Sequence, residues 1–459
     1  MHIKKIVVSA VAGLSMMAAF AGTGTAGQVD INVYGASAQY LYWNATAPQI
    51  LGAAPLSCTA ISQATFNSKN GITMANCGTD NPVYVRVSSK ASFDGIEALH
   101  GIANTVNDGG ATGLSGDICS PGDLGDPGPA TRASYRKMVD ESSCSWGTPA
   151  APGNCTRLKC MPVTVAVSDV AGESFTQSST GHLVGPLGGT VITRAFTGFT
   201  MPASQFNSYN PIVVPFAFFA NSSVKKCVDA TPTEYASCSS SANQQTISNL
   251  PRMMAVQIFS GQAYNWTDLG GEFQPSVPIV ACFRHAGSGT HATLNFAVMN
   301  NGVWGAQVES TESTGGPTAY FNDGSGDELN CVQGSGSWAG TGAIGYMDAD
   351  QATSSTLVRL SYNGELPNRA NIRNGRYDFW AKEWMYEAKT PVGGTGFSFT
   401  HPYVQAMNNY SSRPDSIPTA GAWGPDKTGY WASVGEMNYM KTSDQTYPGF
   451  VGATTPVQP

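Results

Sequence analysis

The chain has little charge. Only 12% of its 459 residues are Asp, Glu, Lys or Arg, about half the usual share. No run of Lys or Arg stands out and the formal net charge is −7, which argues against nucleic acid as a partner. After the N-terminal apolar run, no segment approaches the ~20 apolar residues that a membrane-spanning helix needs. The six His are scattered and no Cys-x2-Cys pair occurs, so neither a metal nor any other cofactor is expected. A Gly-x-Ser-x-Gly elbow and a His-Glu-x-x-His helix are also missing, which removes two common hydrolase signatures. The low charge does not signal disorder, because 41% of residues are hydrophobic and can build cores.

The first residues bear on the compartment. Lys4 and Lys5 precede an apolar run from Ile6 to Phe20, and small residues follow to Gly24-Thr25-Ala26. That order reads as a secretory signal peptide over 1–26, cleaved near Ala26. The first Cys is Cys58, so a lipid anchor on an N-terminal Cys is not expected. The product should be soluble in the periplasm or outside the cell. Ten cysteines, an even number, read as disulfides in such a compartment. Pairing of nearest neighbours would join Cys58–Cys77, Cys119–Cys144, Cys155–Cys160, Cys227–Cys238 and Cys282–Cys331; sequence leaves other connectivities open.

The roughly 430 residues after the leader exceed what one core usually supports, so two domains are expected. Val29–Tyr34 alternates as a strand, Gly35–Gln39 is a small-residue turn, and Tyr40–Leu51 reads as a helix. Val83–Val87 is a second strand, followed by a helix over Gly95–His100 that Asp94 could cap. Gly101–Lys159, rich in Gly, Pro, Ser and Cys, reads as a stapled surface insertion. Thr164–Val167 is a third strand, ending at Ser168-Asp169. Ile212–Asn221 is near-continuously apolar, a strand buried on both faces or a crossover between lobes. A helix over Pro251–Phe259, a strand over Pro278–Phe283 and a helix over His291–Met299 follow. Gly342–Tyr346 reads as a second crossover, and the aromatic tail from about Lys389 has no assignment. Strands alternating with helices make the fold class α/β.

The segment Arg284-His285-Ala286-Gly287-Ser288-Gly289-Thr290 has the chemistry of anion capture. A strand delivers Arg284, a planar fork that can hold two oxygens of one oxyanion. Gly287 and Gly289 allow close backbone approach, Ser288 and Thr290 add hydroxyls, and the following helix presents free N–H groups. His285 and His291 read as packing or solvent-facing residues.

This segment is similar to the R-x-x-G-S-G-T motif of the phosphate-binding proteins that feed phosphate ABC importers. Other segments agree in order: Gly35–Tyr40 with the family's first anion loop, Ser92–Ile96 with its Ser-containing turn, and Val167–Asp169 with the strand ending in Asp. Val214–Ala217 resembles its first crossover, Ile258–Gly261 with Asn265–Leu269 its I-F-x-G…N-W-x-x-L segment, and Gly342–Tyr346 its G-x-I-G-Y. The resemblance implies a two-lobed type II periplasmic-binding-protein fold with a disulfide-stapled insertion. Lobe 1 would span 27–216 with the insertion at about 101–160, lobe 2 would span 217–345, and 346–459 would return to lobe 1 and end in the aromatic tail. It implies that Arg284, Ser288, Gly289 and Thr290 hold phosphate from one lobe, and Ser92 and Asp169 from the other. Gln39 and Tyr40 stand where the family has a Thr and the residue after it, with Ser37 as a substitute donor. No catalytic residue is implied. An ABC permease is the implied partner, and a monomer is expected.

Asp169 carries the selectivity argument. A carboxylate facing an anion is costly unless a proton lies between them. Phosphate keeps an O–H at neutral pH and sulfate does not, so one acceptor among donors favours phosphate. Two other readings remain: a surface or structural protein whose ligand site is lost or altered, and a phosphatase working from the same anion site.

Overall fold

The computed structural model describes residues 27–102, 106–107, 117–184, 191–228, 243–273, 277–302, 308–309, 318–322, 324–334, 340–389, 397–419 and 428–451. The expected leader and Cys238 lie outside these residues. The elements that position the site begin with β1 (Val29–Gly35), α1 (Tyr40–Gly52), β2 (Thr59–Asn67), β3 (Asn70–Cys77), β4 (Asp80–Ser89), α2 (Ser92–His100), β5 (Val165–Ser168) and β6 (Phe206–Tyr209). Next come β7 (Ile212–Asn221), α3 (Arg252–Phe259), β8 (Val280–Arg284), α4 (Gly289–Thr293), β9 (Thr318–Asn322), α5 (Ser325–Gln333) and β10 (Ala343–Asp348). The last are β11 (Leu357–Arg359), β12 (Trp380–Lys382), β13 (Trp384–Ala388), α6 (Phe397–Ser411) and β14 (Ala432–Ser433).

Two sheets organise the molecule. In the first the order is β6-β13-β5-β1-β4-β3-β2, then Gly153–Cys155 and Cys144–Ser145. β1 lies parallel between β4 and β5, so the chain leaves β1 on one side and later returns on the other. In the second sheet the order is β9-β8-β10-β7-β11, and β8 lies parallel between β9 and β10. Each sheet therefore has a switch point, where open α/β sheets place ligands beyond the carboxyl ends of strands. Those strand ends carry Gly35 and Ser168 in one sheet and Arg284 in the other.

β7 explains its apolar sequence. All ten of its residues are buried, because it is shared. Its start pairs with β12 and β14, and its end with β10 and β11. β12 leads directly into β13 of the first sheet, so β6–β7 and β12–β13 are the two chain passages between sheets. This corrects the second expected crossover: Gly342–Tyr346 instead enters β10 in the interior of the second sheet. An apolar G-x-I-G-Y strand satisfies either role, and only strand pairing separates them.

The Gly101–Lys159 segment is more than a surface insertion, because Gly153–Cys155 pairs parallel with β2 and extends the first sheet. Among the described residues the disulfides are Cys58–Cys77, Cys119–Cys160, Cys144–Cys155 and Cys282–Cys331. The expected Cys119–Cys144 and Cys155–Cys160 pairs are thus replaced by a nested arrangement. The reason is register: Cys144 stands opposite Cys155 in an antiparallel pair, inside the ladder of Tyr135–Val139 with Leu158–Pro162. Cys227 is disulfide-bonded, and its expected partner Cys238 lies outside the described residues.

Charge fastens this segment to the sheet. Arg86 on β4 donates to the Val139 carbonyl at 2.9 Å and pairs with Asp30 and Glu141. Asp94 pairs with Arg136 and accepts from the Tyr34 hydroxyl at 2.9 Å, all of them buried. Asp94 is therefore not the cap of α2, whose N-cap is Ala91. The aromatic tail returns to the body: α6 adds Tyr403 and Met407 to the core that holds Trp43, and Trp431 stacks on Tyr42 with ring centroids 6.3 Å apart.

Candidate functional site

β1, β4 and β5 bring their carboxyl ends together, and three predicted residues meet there. Gln39 Nε2 donates to Asp169 Oδ1 at 2.9 Å, and Ser92 Oγ donates to Asp169 Oδ2 at 3.1 Å. The Asp169 backbone N–H lies 3.3 Å from Ser92 Oγ. All three are buried, Gln39 completely. Gly35 permits the close approach. Its φ is +145°, and a Cβ there would lie 2.0 Å from the Val167 carbonyl oxygen. The loop after Asp169 is held by residues distant in sequence: Ala171 N–H donates to Asp444 Oδ2 at 2.6 Å, and Gly172 N–H to the Tyr386 hydroxyl at 2.9 Å.

The Arg284–Thr290 segment faces this group from the second sheet. A Cβ on Gly289 would fall 2.5 Å from Ser92 Oγ and 2.8 Å from Asp169 Oδ2, so only glycine allows the two halves to close this far. Phe93 N–H donates to the Gly287 carbonyl at 3.2 Å and Ala286 N–H to Ser179 Oγ at 2.8 Å. Phe93, Phe196 and His285 pack edge to face or tilted across the same seam. The two segments are in direct contact along this seam.

Arg284 is buried, and its Nη1 donates to Ser325 Oγ at 3.2 Å. Ser288 caps α4, with its Oγ accepting from the His291 N–H at 3.4 Å; its own hydroxyl proton is not used in that bond. Thr290 is buried in the first turn of α4. Two predicted residues are not brought in by their side chains. The Tyr40 hydroxyl lies against Gly71 on β3, and half-buried Ser37 sits in a 3-10 turn where its carbonyl accepts from the Tyr40 N–H.

Burial sets the electrostatics. It pushes the Asp169 carboxyl up to about 6, against the Gln39 and Ser92 hydrogen bonds and the charge of Arg284. Asp348, at the end of β10, is pushed up to about 7 by burial and then by Asp350 and Asp169. Burial also raises Glu328, whose Oε1 accepts from the Tyr346 N–H at 2.9 Å, and Glu383, whose Oε1 accepts from Trp43 Nε1 at 2.6 Å. His291 is buried and pushed down to about 3 by burial and by Arg284, so it is neutral. It bonds the Tyr346 hydroxyl at 2.9 Å, which also accepts from the Arg284 N–H at 3.1 Å.

Ser325, Tyr346, Glu328, Asp348 and Asp444 escaped the sequence reading. Asp348 had a readable signal: like Asp169, it is an acid ending a short buried strand. The others join the site through tertiary packing alone.

Residues 215–406 match the family described as the PBP superfamily domain. Over 138 residues the chain is 29% identical to the phosphate-binding protein PstS of Bacillus subtilis (strain 168). That match spans 30% of this chain and 39% of the relative's length. A candidate phosphate ABC transporter substrate-binding protein with bound phosphate from Clostridium perfringens is 12% identical, with a TM-score of 0.43 over 85% of this chain and 97% of that one. An ABC-type phosphate transport receptor from Vibrio cholerae is 15% identical, with a TM-score of 0.32 over 49% of this chain and 75% of that one. Over residues 215–406 the chain thus resembles the PBP superfamily domain, and over 138 residues it is similar to a phosphate-binding protein.

Proposed function

We propose that this protein captures inorganic phosphate between its two lobes and delivers it to a membrane ABC permease. One observation carries the reading: Asp169, held by Gln39 and Ser92, lies directly against Gly289 of the Arg284–Thr290 segment. An acceptor thereby faces a set of donors at the meeting of two switch points. Arg284 would supply charge and a bidentate fork, Ser288 and Thr290 would supply hydroxyls, and Asp169 would take the proton that phosphate keeps and sulfate lacks. Ser92 would act mainly by holding Asp169, since its hydroxyl proton is directed there. Gln39 stands in for the family's Thr through the same carboxylate. Tyr40 and Ser37 would contribute backbone geometry.

Within this reading lobe 1 is 27–216 with the return segment, and the second lobe extends to the β12–β13 passage. The protein works after export, as a monomer and without catalytic turnover. No described helix is long and apolar enough to cross a membrane. Opening would occur by hinge motion at the β6–β7 and β12–β13 passages.

Calorimetric titration of the mature, disulfide-intact, ligand-stripped protein tests the reading. One-to-one phosphate binding with sulfate inert supports it, and absence of heat with both anions overturns it.

A further inference from the structure

The Gln39 amide has two ends, and the carboxylate dictates their orientation. Its Nε2 is committed to Asp169 Oδ1, because an ionised carboxylate only accepts. Its Oε1 is fully buried and has no partner among the described residues. A buried acceptor left without a donor keeps its full desolvation cost, so a donor from the bound species is the natural complement. Resting on the phosphate reading above, we infer that Gln39 Oε1 is a second proton-accepting group of the site, and that the bound species is the doubly protonated monoanion, dihydrogen phosphate.

The argument is a count of protons. The monoanion has two P–O–H donors: one would meet Asp169 and the other Gln39 Oε1. The dianion has one O–H. It would turn a bare oxygen on the amide oxygen, an arrangement without a hydrogen between two acceptors. Charge points the same way. Arg284 is the cation in the electrostatic balance of Asp169, Asp348 and Glu328. Asp169 itself sets a negative charge beside the ligand, and Asp348 and Glu383 interact with Asp169 in turn. A dianion among these groups leaves more uncompensated buried charge than a monoanion. A Thr at position 39 would be able to donate its hydroxyl, and would not impose this choice.

Two readouts test the inference. First, phosphate affinity is measured from pH 6.5 to 8.5. The apparent Kd for total phosphate should weaken by roughly 20-fold as the monoanion fraction falls, since the competent fraction scales the affinity. Second, calorimetry at pH 8 in buffers of different ionisation heat counts protons taken up per phosphate. About one is expected for the wild type, and markedly less for Gln39→Thr, whose affinity should also vary less with pH. Affinity that is flat or rises with pH, or binding without proton uptake, overturns this inference and leaves the phosphate reading standing. No phosphate binding at any pH overturns both. The wild-type measurements decide the matter even if the variant fails to fold.

Discussion

Two buried aspartates stand close to either side of α2's first turn and show different solutions to the same problem. Asp94 is neutralised inside its own lobe by the Arg136 guanidinium and the Tyr34 hydroxyl. Asp169 is held by neutral donors, Gln39 and Ser92, and the nearby cation, Arg284, comes from the other sheet. A carboxylate paired at close range is a structural anchor. One held by amide and hydroxyl, with its ionisation opposed by burial, remains able to take a proton from a ligand. The contrast separates an anchor from the proposed binding group without reference to motif.

The largest expected effect attacks the anchor. Arg136→Ala should cost about 3–5 kcal/mol of stability, because it leaves the buried Asp94 carboxylate without its guanidinium; denaturant unfolding measures this, and a loss below about 1 kcal/mol would remove the anchor interpretation. Arg284→Ala attacks the other side. It should weaken phosphate binding by about 30-fold or more, the scale of truncating one partner of a buried charge contact. Unchanged affinity in calorimetry would displace the site.

The pH dependence of the ligand-free protein sharpens the contrast. Asp169 and Asp348 have folded pKa values raised to about 6 and about 7. A raised carboxyl binds its proton more tightly when folded, so its contribution is full below about pH 4 and is lost as pH rises through 6 and 7. Asp348→Asn should therefore flatten the fall in melting temperature between pH 5 and pH 8; an identical profile in the variant would refute the assignment. Smallest is Asp169→Asn. Phosphate should bind less tightly and sulfate less poorly, narrowing their ratio by about tenfold, the scale of one charged hydrogen bond. Competition titration reads the ratio, and an unaltered value would deny Asp169 the proton.

Legibility followed the range of the interactions. The Arg284–Thr290 segment, the strands at β1, β5, β7 and β8 and the helices α1 and α3 were readable, because alternation, apolar runs and glycine-rich turns are local patterns. The β2–β3 hairpin was missed, as its mixed polar sequence over Thr59–Cys77 has weak periodicity. The nested Cys119–Cys160 and Cys144–Cys155 bonds were not derivable from spacing. Asp94 read as a helix cap until Arg136 was seen beside it.

The sequence by itself determined the α/β class and the grouping of Arg284 with the glycines and hydroxyls of Gly287–Thr290, since both rest on residues adjacent along the chain. Only the tertiary structure decided that Gln39 holds Asp169, that Gly289 closes on Asp169 and Ser92, and that β12–β13 is the second passage between sheets. Those facts depend on contacts between residues separated by more than a hundred positions, such as Gln39 and Asp169. Hydrogen-bond pairing and burial in the folded chain select such contacts, and no local periodicity encodes them.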